Sequence, residues 1–397
     1  MQPLEINGRS YRAPDQPTVV VCIDGVDPRY VTDGLARGLL PRIAAMIAGG
    51  GEFAHAASQM PSFTNPNNLC IVTGVAAAEH GLSGNHALTD DGREVQLDDP
   101  AFLRAGTIHA AMHAAGVPVL VVTTKAKLRR LLSVGDVPCV SVEGAATETL
   151  GEITDLEQLV GRPAPGIYEW DASHFALELG LALAAVRAPR LMYVSLTDAV
   201  QHANAPGEPL SDRYLVRLDA LIGAYLDAGW RIALVADHGM NDKPQIRYLA
   251  DTLETAGIGG ARVLLPITDP YVAHHAALGS AAWVYAPADQ RARAADVLAQ
   301  LPGVEAVLER ARAAAELELP ADRIGDLVVL ADAGTALGGR ERDHDLTRLH
   351  GPLRSHGGFH EASVPLLLSH PPGPQGRRII DAGARTRDVH AIVLEPA

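Results

Sequence analysis

Short apolar runs, each closed by a polar residue, recur along the first two thirds of the chain. Residues 19–23 (VVVCI), 117–122, 191–196 and 232–236 are the clearest. Each is too short for a helix and too continuously apolar for a strand with one wet face, so each predicts a buried strand. Between them, apolar residues return at helical spacing. Leu35, Leu39, Leu40, Ile43, Met46 and Ile47 mark one helical stretch over 30–47, and similar patterns cover 173–187 and 215–226. Buried strands alternating with amphipathic helices predict an α/β fold with a largely parallel central sheet flanked by helices.

The texture changes over 256–339. Strands at 262–267, 281–285, 304–308 and 326–330, with helices at 290–300 and 311–316, predict a small α+β cap inserted into a core made of 1–255 and 340–397. Residues 335–363 are rich in Gly, His, Arg and Asp and predict a long polar loop. Loops of that length inside a compact chain are usually functional.

Composition narrows the class. Of 397 residues, 47% are hydrophobic but only 4% aromatic, so Ala, Val, Leu and Ile must build the core. No apolar run approaches the roughly 18 residues of a membrane span. The first residues lack a basic segment followed by an apolar one, so no signal peptide is expected. Cys22, Cys70 and Cys139 are odd in number and scattered. They predict neither a disulfide framework nor a cysteine metal site, and they fit a reducing cytoplasm. The net charge of −14 speaks against nucleic acid as a partner. It also means that a site for an anion must supply its own positive charge.

Several of the polar residues that close these runs can carry chemistry. Asp24, Thr124-Lys125, Asp198 and Asp237-His238 all follow predicted strands. In open α/β sheets ligands bind beyond the carboxyl ends of the strands, so topology alone gathers these residues. Asp198 and His202 share one face if Thr197 opens a helix, although an acid at a helix start beside an unrelated surface His has the same pattern. Asp237-His238-Gly239 could turn both side chains into one cleft or simply end a strand. Asp24-Gly25 also fits a plain turn. His356-Gly357-Gly358 permits close backbone approach to a ligand, but the chain has 16 histidines, and His344, His350 and His360 lie nearby. In PSFTNPNN (61–68), Pro61 and Pro66 stiffen a loop entering a helix that starts near Pro66. Thr64 there reads equally as a helix cap.

Taken together, three Asp and three His suffice for two metal ions, with Thr64 as a further oxygen ligand. A site of Asp and His without Cys suits catalytic zinc, with manganese or iron chemically possible. Two such ions form a clamp for phosphoryl chemistry. Lys125 and Lys127 alternate at a strand end and could both face the cleft. With Arg129-Arg130 they could equally form a solvated basic cluster.

The order Asp24, Thr64, Asp198-xxx-His202, Asp237-His238 and a late His356 resembles the alkaline phosphatase superfamily, in its nucleotide pyrophosphatase/phosphodiesterase-like branch. Within that branch the chain resembles enzymes that cut carbon–phosphorus bonds. The stretches that carry this are PSFTNPNNLCIVTG, TTKAKLR, DAVQHANAPG, ADHGM, LPITDPYVAHHAALGS, ELPADRIGDLVVL and LRSHGG, and the likeness runs from about residue 5 to 395. The resemblance implies two zinc ions, one held by Asp24, Thr64, Asp237 and His238, the other by Asp198, His202 and His356. It implies that Lys125 and Lys127 bind a substrate carboxylate and that Asn85, otherwise a turn residue in GLSGNH, contacts a phosphonyl oxygen. The implied reaction is hydrolysis of phosphonoacetate, a small anionic phosphonate, to acetate and phosphate, with Thr64 as nucleophile and a phosphothreonine intermediate. Phosphate mono- or diester hydrolysis, a phosphosugar mutase and a non-catalytic zinc-binding protein are the rivals. A homo-oligomer no larger than a dimer is expected, and neither His274-His275 nor the 335–350 loop has an assigned role.

Overall fold

The computed structural model describes residues 2–89, 91–166, 168–267, 277–349 and 351–395. Its main sheet contains β1 (Thr18–Cys22), β2 (Glu52–Ala57), β3 (Val119–Thr123), β4 (Cys139–Ser141), β5 (Leu191–Ser195) and β6 (Arg231–Val235), joined late in the chain by Ser363–Leu368. A second sheet contains β7 (Arg262–Leu264), β8 (Ala281–Tyr285), β9 (Val304–Glu309) and β10 (Leu327–Ala331), which makes Ser363–Leu368 β11.

The main sheet runs β2-β11-β6-β1-β5-β3-β4. From β6 through β4 every pairing is parallel, and β11 pairs antiparallel to both β6 and β2. Every residue of β1, β3, β5 and β6 is buried, as expected for parallel strands covered on both faces. The central sheet is therefore largely parallel, as the apolar runs predict.

The register places the site. Cys22 pairs with Ser195 and with Val235, and Ser195 pairs with Thr123. Four neighbouring strands thus end level, and the residues two or three positions further on share one edge.

The second sheet is antiparallel, in the order β7-β8-β10-β9. Strand alternation splits its side chains into two apolar layers. Trp283, Val328 and Leu330 pack with Leu308 and Ile324, and this layer also takes in Met60 and Phe63. Ala282, Val284 and Val329 pack with Leu249, Leu253 and Leu298. The first layer therefore seats the sheet directly on the loop that carries Thr64.

Three expectations change. The helical stretch over 30–47 is two helices, Pro28–Ala36 and Pro41–Ala48. Gly38 between them adopts φ +72°, and Pro41 starts the second. The strand expected over 262–267 stops at Leu264. The segment 335–363 is not one loop: Thr335–Gly338 pairs in parallel with Gln245–Tyr248, and Arg354–Ser355 pairs with Asn241–Asp242. His274 and His275 lie outside the described residues, as does His350. Among the described residues no helix is long and apolar enough to cross a membrane.

Candidate active site

Asp24 lies two residues beyond β1, Asp237 two beyond β6, Lys125 two beyond β3 and Asp198 three beyond β5. The level strand ends bring all four together. Asp198 is the N-cap residue of the helix Ala199–Ala203, which places His202 one turn on. His356 arrives from the segment after Arg354–Ser355. Two groups result, Asp24 with Asp237 and His238, and Asp198 with His202 and His356. Within each group the candidate ligand atoms lie within 4.8 Å of one another, and all six residues are buried.

The three imidazoles are held in one way. His202 Nδ1 faces the Arg354 carbonyl at 2.8 Å, His238 Nδ1 the Gly239 carbonyl at 2.9 Å, and His356 Nδ1 the Ser62 carbonyl at 2.8 Å. A carbonyl only accepts, so each Nδ1 carries a proton and each Nε2 is left to the site. Those Nε2 atoms point at the acids: His202 lies 3.0 Å from Asp198 Oδ2, His356 3.9 Å from the same oxygen, and His238 3.2 Å from Asp24 Oδ1. The rings of His238 and His356 stack at 3.5 Å, so the two groups share a wall.

Electrostatics shows what the pocket lacks. Three buried carboxylates face one ammonium, Lys125, whose Nζ lies 3.2 Å from Asp24 and 3.5 Å from Asp198. Burial, with Asp24 beside it, pushes the Asp237 carboxyl well above the usual carboxylate range. Burial opposes the charged form of His238, but Asp237, Asp24 and Asp198 outweigh it and push that imidazole up to about 9. Burial and then the neighbouring His238 and His202 push His356 well below its ordinary value. Asp237 and His238 thus hold protons where a cation would serve better. Buried Asp24 Oδ1 makes no well-formed hydrogen bond, although His238 Nε2 is close. An oxygen-and-imidazole donor set with excess negative charge and an orphaned carboxylate oxygen fits two divalent cations.

Thr64 is the first residue of the helix Thr64–Thr73, and Phe63 is the N-cap. The helix thus begins two residues before the expected start, and Thr64 is not its cap. Its Oγ1 lies 3.2 Å from His238 Nε2, and it is half-buried where the six candidate ligands are buried. The backbone N–H groups of the first turn favour an anion beside it.

The lysines separate. Lys125 is the N-cap residue of the helix Ala126–Leu132, and Lys127 sits in that helix's first turn, so strand alternation does not relate them. Lys125 reaches the acids, and Lys127 is half-buried. Asn85 is tied to the second sheet's approach, its N–H donating to the Pro266 carbonyl at 2.7 Å and its amide to Ile267 at 3.4 Å. Three contributors lie within the quoted motif stretches but had no expected role in the site. Asn68 donates to Asp237 Oδ2 at 3.2 Å and to the Thr64 carbonyl at 3.0 Å. Arg354 orients His202 through its carbonyl, and Ser62 does the same for His356. Ser62 and Asn68 fall in PSFTNPNN and Arg354 in LRSHGG, but the asparagines there read as turn and cap chemistry and the other two carried no expectation.

Residues 18–359 match the family model "Type I phosphodiesterase / nucleotide pyrophosphatase". The chain is similar to phosphonoacetate hydrolase from Sinorhizobium meliloti, solved with phosphonoacetate and with phosphonoformate. In each case the TM-score is 0.90 and the identity 39%, over 98% of this chain and 97% of that one. Murine ectonucleotide pyrophosphatase/phosphodiesterase 5, solved with AMP, shares the fold at TM-score 0.62 and 17% identity, over 90% and 88% of the two chains. The chain belongs to the type I phosphodiesterase/nucleotide pyrophosphatase family, and is thereby a hydrolase of the alkaline phosphatase superfamily.

Proposed function

We propose that the protein hydrolyses the carbon–phosphorus bond of phosphonoacetate, giving acetate and orthophosphate, at a site that holds two zinc ions. The observation that carries the substrate is the 39% identity, along 98% of the chain, to an enzyme solved with phosphonoacetate bound. Asp24, Thr64, Asp237 and His238 are the residues to hold one ion, and Asp198, His202 and His356 the other. When bound, the ions would supply positive charge for the phosphonate and would favour the deprotonated form of the Thr64 hydroxyl.

The chain's own residues account for the rest. A bond forms from Thr64 Oγ1 to phosphorus as the carbon–phosphorus bond breaks, and the electron pair leaves on the acetate carbon. That carbanion is a poor leaving group unless its charge passes into the carboxylate as an enolate. An ammonium placed there stabilises the charge as it develops. Lys125 and Lys127 are assigned this role and Asn85 a phosphonyl oxygen. Solvent protonates the carbon to give acetate. Water then splits the phosphothreonine, releasing orthophosphate and restoring the hydroxyl.

Hydrolysis of phosphate esters is the second reading, favoured by the phosphodiesterase family to which the chain belongs. Esters need no carboxylate-binding ammonium, so Lys125→Met separates the two. We expect kcat/KM for phosphonoacetate to exceed that for a nitrophenyl phosphodiester in the wild type. The variant should lower this ratio by on the order of 10²-fold. Because Lys125 also touches Asp24 and Asp198, the ratio is the readout rather than either rate. A wild type that turns over the diester faster overturns the substrate assignment.

A further inference from the structure

Ser62 stands two residues before Thr64 and is fully buried. It grips three consecutive residues of a distant segment. Its carbonyl accepts from His356 Nδ1 at 2.8 Å, its hydroxyl accepts from the Gly357 N–H at 3.1 Å, and the same hydroxyl donates to the Gly358 carbonyl at 2.9 Å. Phe63 closes the seat, its ring lying edge-on to the His356 imidazole with centroids 5.7 Å apart. A methyl group at position 357 would overlap the Phe63 ring, and Gly357 has φ +115°, so glycine alone fits there. On the far side the Gly358 N–H donates to Glu361 Oε2 at 2.9 Å. The segment is therefore held from both sides, and the nucleophile loop forms one of them.

We propose that the Ser62 hydroxyl is a positioning group for the second metal set: by holding the Gly357 N–H and the Gly358 carbonyl it keeps the His356 segment seated on the loop that carries Thr64, so that the imidazole stays on the Ser62 carbonyl and the nucleophile and the far ligand set keep one geometry. The proposal rests on the two-metal reading. Its physical basis is that both sides of a phosphoryl group must be clamped at fixed separation for in-line attack, and small misplacements are costly. The Ser62 carbonyl survives the loss of the side chain, so the hydroxyl acts by keeping that carbonyl and the imidazole in register, and losing such an orienting contact typically matters 10- to 100-fold in metal affinity. A serine of merely structural value would weaken both metal sets alike.

The test titrates zinc alone, against a competing chelator, into the full chain, with folding followed by far-UV circular dichroism. His356→Ala marks which equivalent belongs to the second set. The wild type should take two equivalents. Ser62→Ala should keep the first at wild-type affinity and bind the second about 10- to 100-fold more weakly. Equal affinities in the two proteins overturn the role of Ser62 and leave the two-metal reading standing, as does joint weakening of both equivalents. A wild type that takes fewer than two equivalents overturns the two-metal reading itself. Should Ser62→Ala not fold, Ser62→Gly removes the same two hydroxyl contacts without adding a clash. Selective loss of the same equivalent there supports the proposal, and retention of both overturns it.

Discussion

Asn68 uses every hydrogen-bonding position of its amide. Its oxygen accepts from Tyr193 and Ser195, each at 2.7 Å, and its nitrogen donates to Thr64 and Asp237. The two hydroxyl donors fix which way the amide faces, so the nitrogen must point at Asp237. Asn68→Ala leaves three buried polar groups short of a partner, the Tyr193 and Ser195 hydroxyls and the Asp237 carboxylate, and we expect a stability loss of about 1–3 kcal/mol. It also frees the Asp237 carboxylate to rotate, and kcat should fall roughly 10- to 100-fold. Steady-state kinetics checks this, and an unimpaired variant refutes it. At this scale the metal-ligand candidates were legible, because Asp24, Asp198 and Asp237 each follow an apolar run whose end marks the edge of the sheet. Ser62 and Arg354 were not, because what orients the histidines there is a backbone carbonyl, and any residue type supplies one. Lys127 was misplaced because the strand gives way to a helix at Lys125.

Between elements, Lys243 and Glu361 form a fully buried ion pair at 2.9 Å. Lys243 follows the Asp237-His238 turn and also donates to the Ala333 carbonyl beyond β10. Glu361 follows the His356 segment and also accepts from Asn241 at 2.6 Å. The pair thus ties the segments that carry the candidate ligands Asp237, His238 and His356 to the second sheet. Lys243→Met strands a buried carboxylate and should cost about 3–5 kcal/mol, read as a lowered denaturant midpoint. A shift under about 1 kcal/mol would show that the segments hold together without it. Element by element, β1, β3, β5 and β6 were legible from their continuous apolar runs, whereas β4 and β11, also buried, were not among the expected strands. The break at Gly38 and Pro41 was missed because the apolar period continues across it. The N-terminal hairpin, Leu4–Ile6 with Arg9–Tyr11, was also missed, although Asn7-Gly8 at φ 50° and 76° is a typical signal for such a turn.

Across the whole molecule, buried histidines make the fold sensitive to acid. Burial lowers His80 to about 3 and His390 and His174 to about 4. Each is neutral when folded and protonates near 6.5 when unfolded. The unfolded chain therefore takes up protons that the folded chain refuses. Their contribution is fully present above about pH 6.5 and is lost as pH falls toward 4. For His390 the loss at pH 5 is about 2 kcal/mol. Denaturation of metal-free protein at pH 7 and pH 5 should show a smaller drop in His390→Asn than in the wild type, by about that amount. Equal drops would contradict the assignment. The acidic balance of the chain, −14, has its sharpest local expression in the pocket of three carboxylates and one nearby ammonium. That imbalance suits cations and, through them, an anionic substrate. The most direct test follows zinc-loaded protein and phosphonoacetate by phosphorus and carbon NMR. Orthophosphate and acetate should appear in equal amounts with the wild type and stay absent with Thr64→Ala. An unchanged phosphonate signal beside brisk hydrolysis of a phosphodiester would contradict the account.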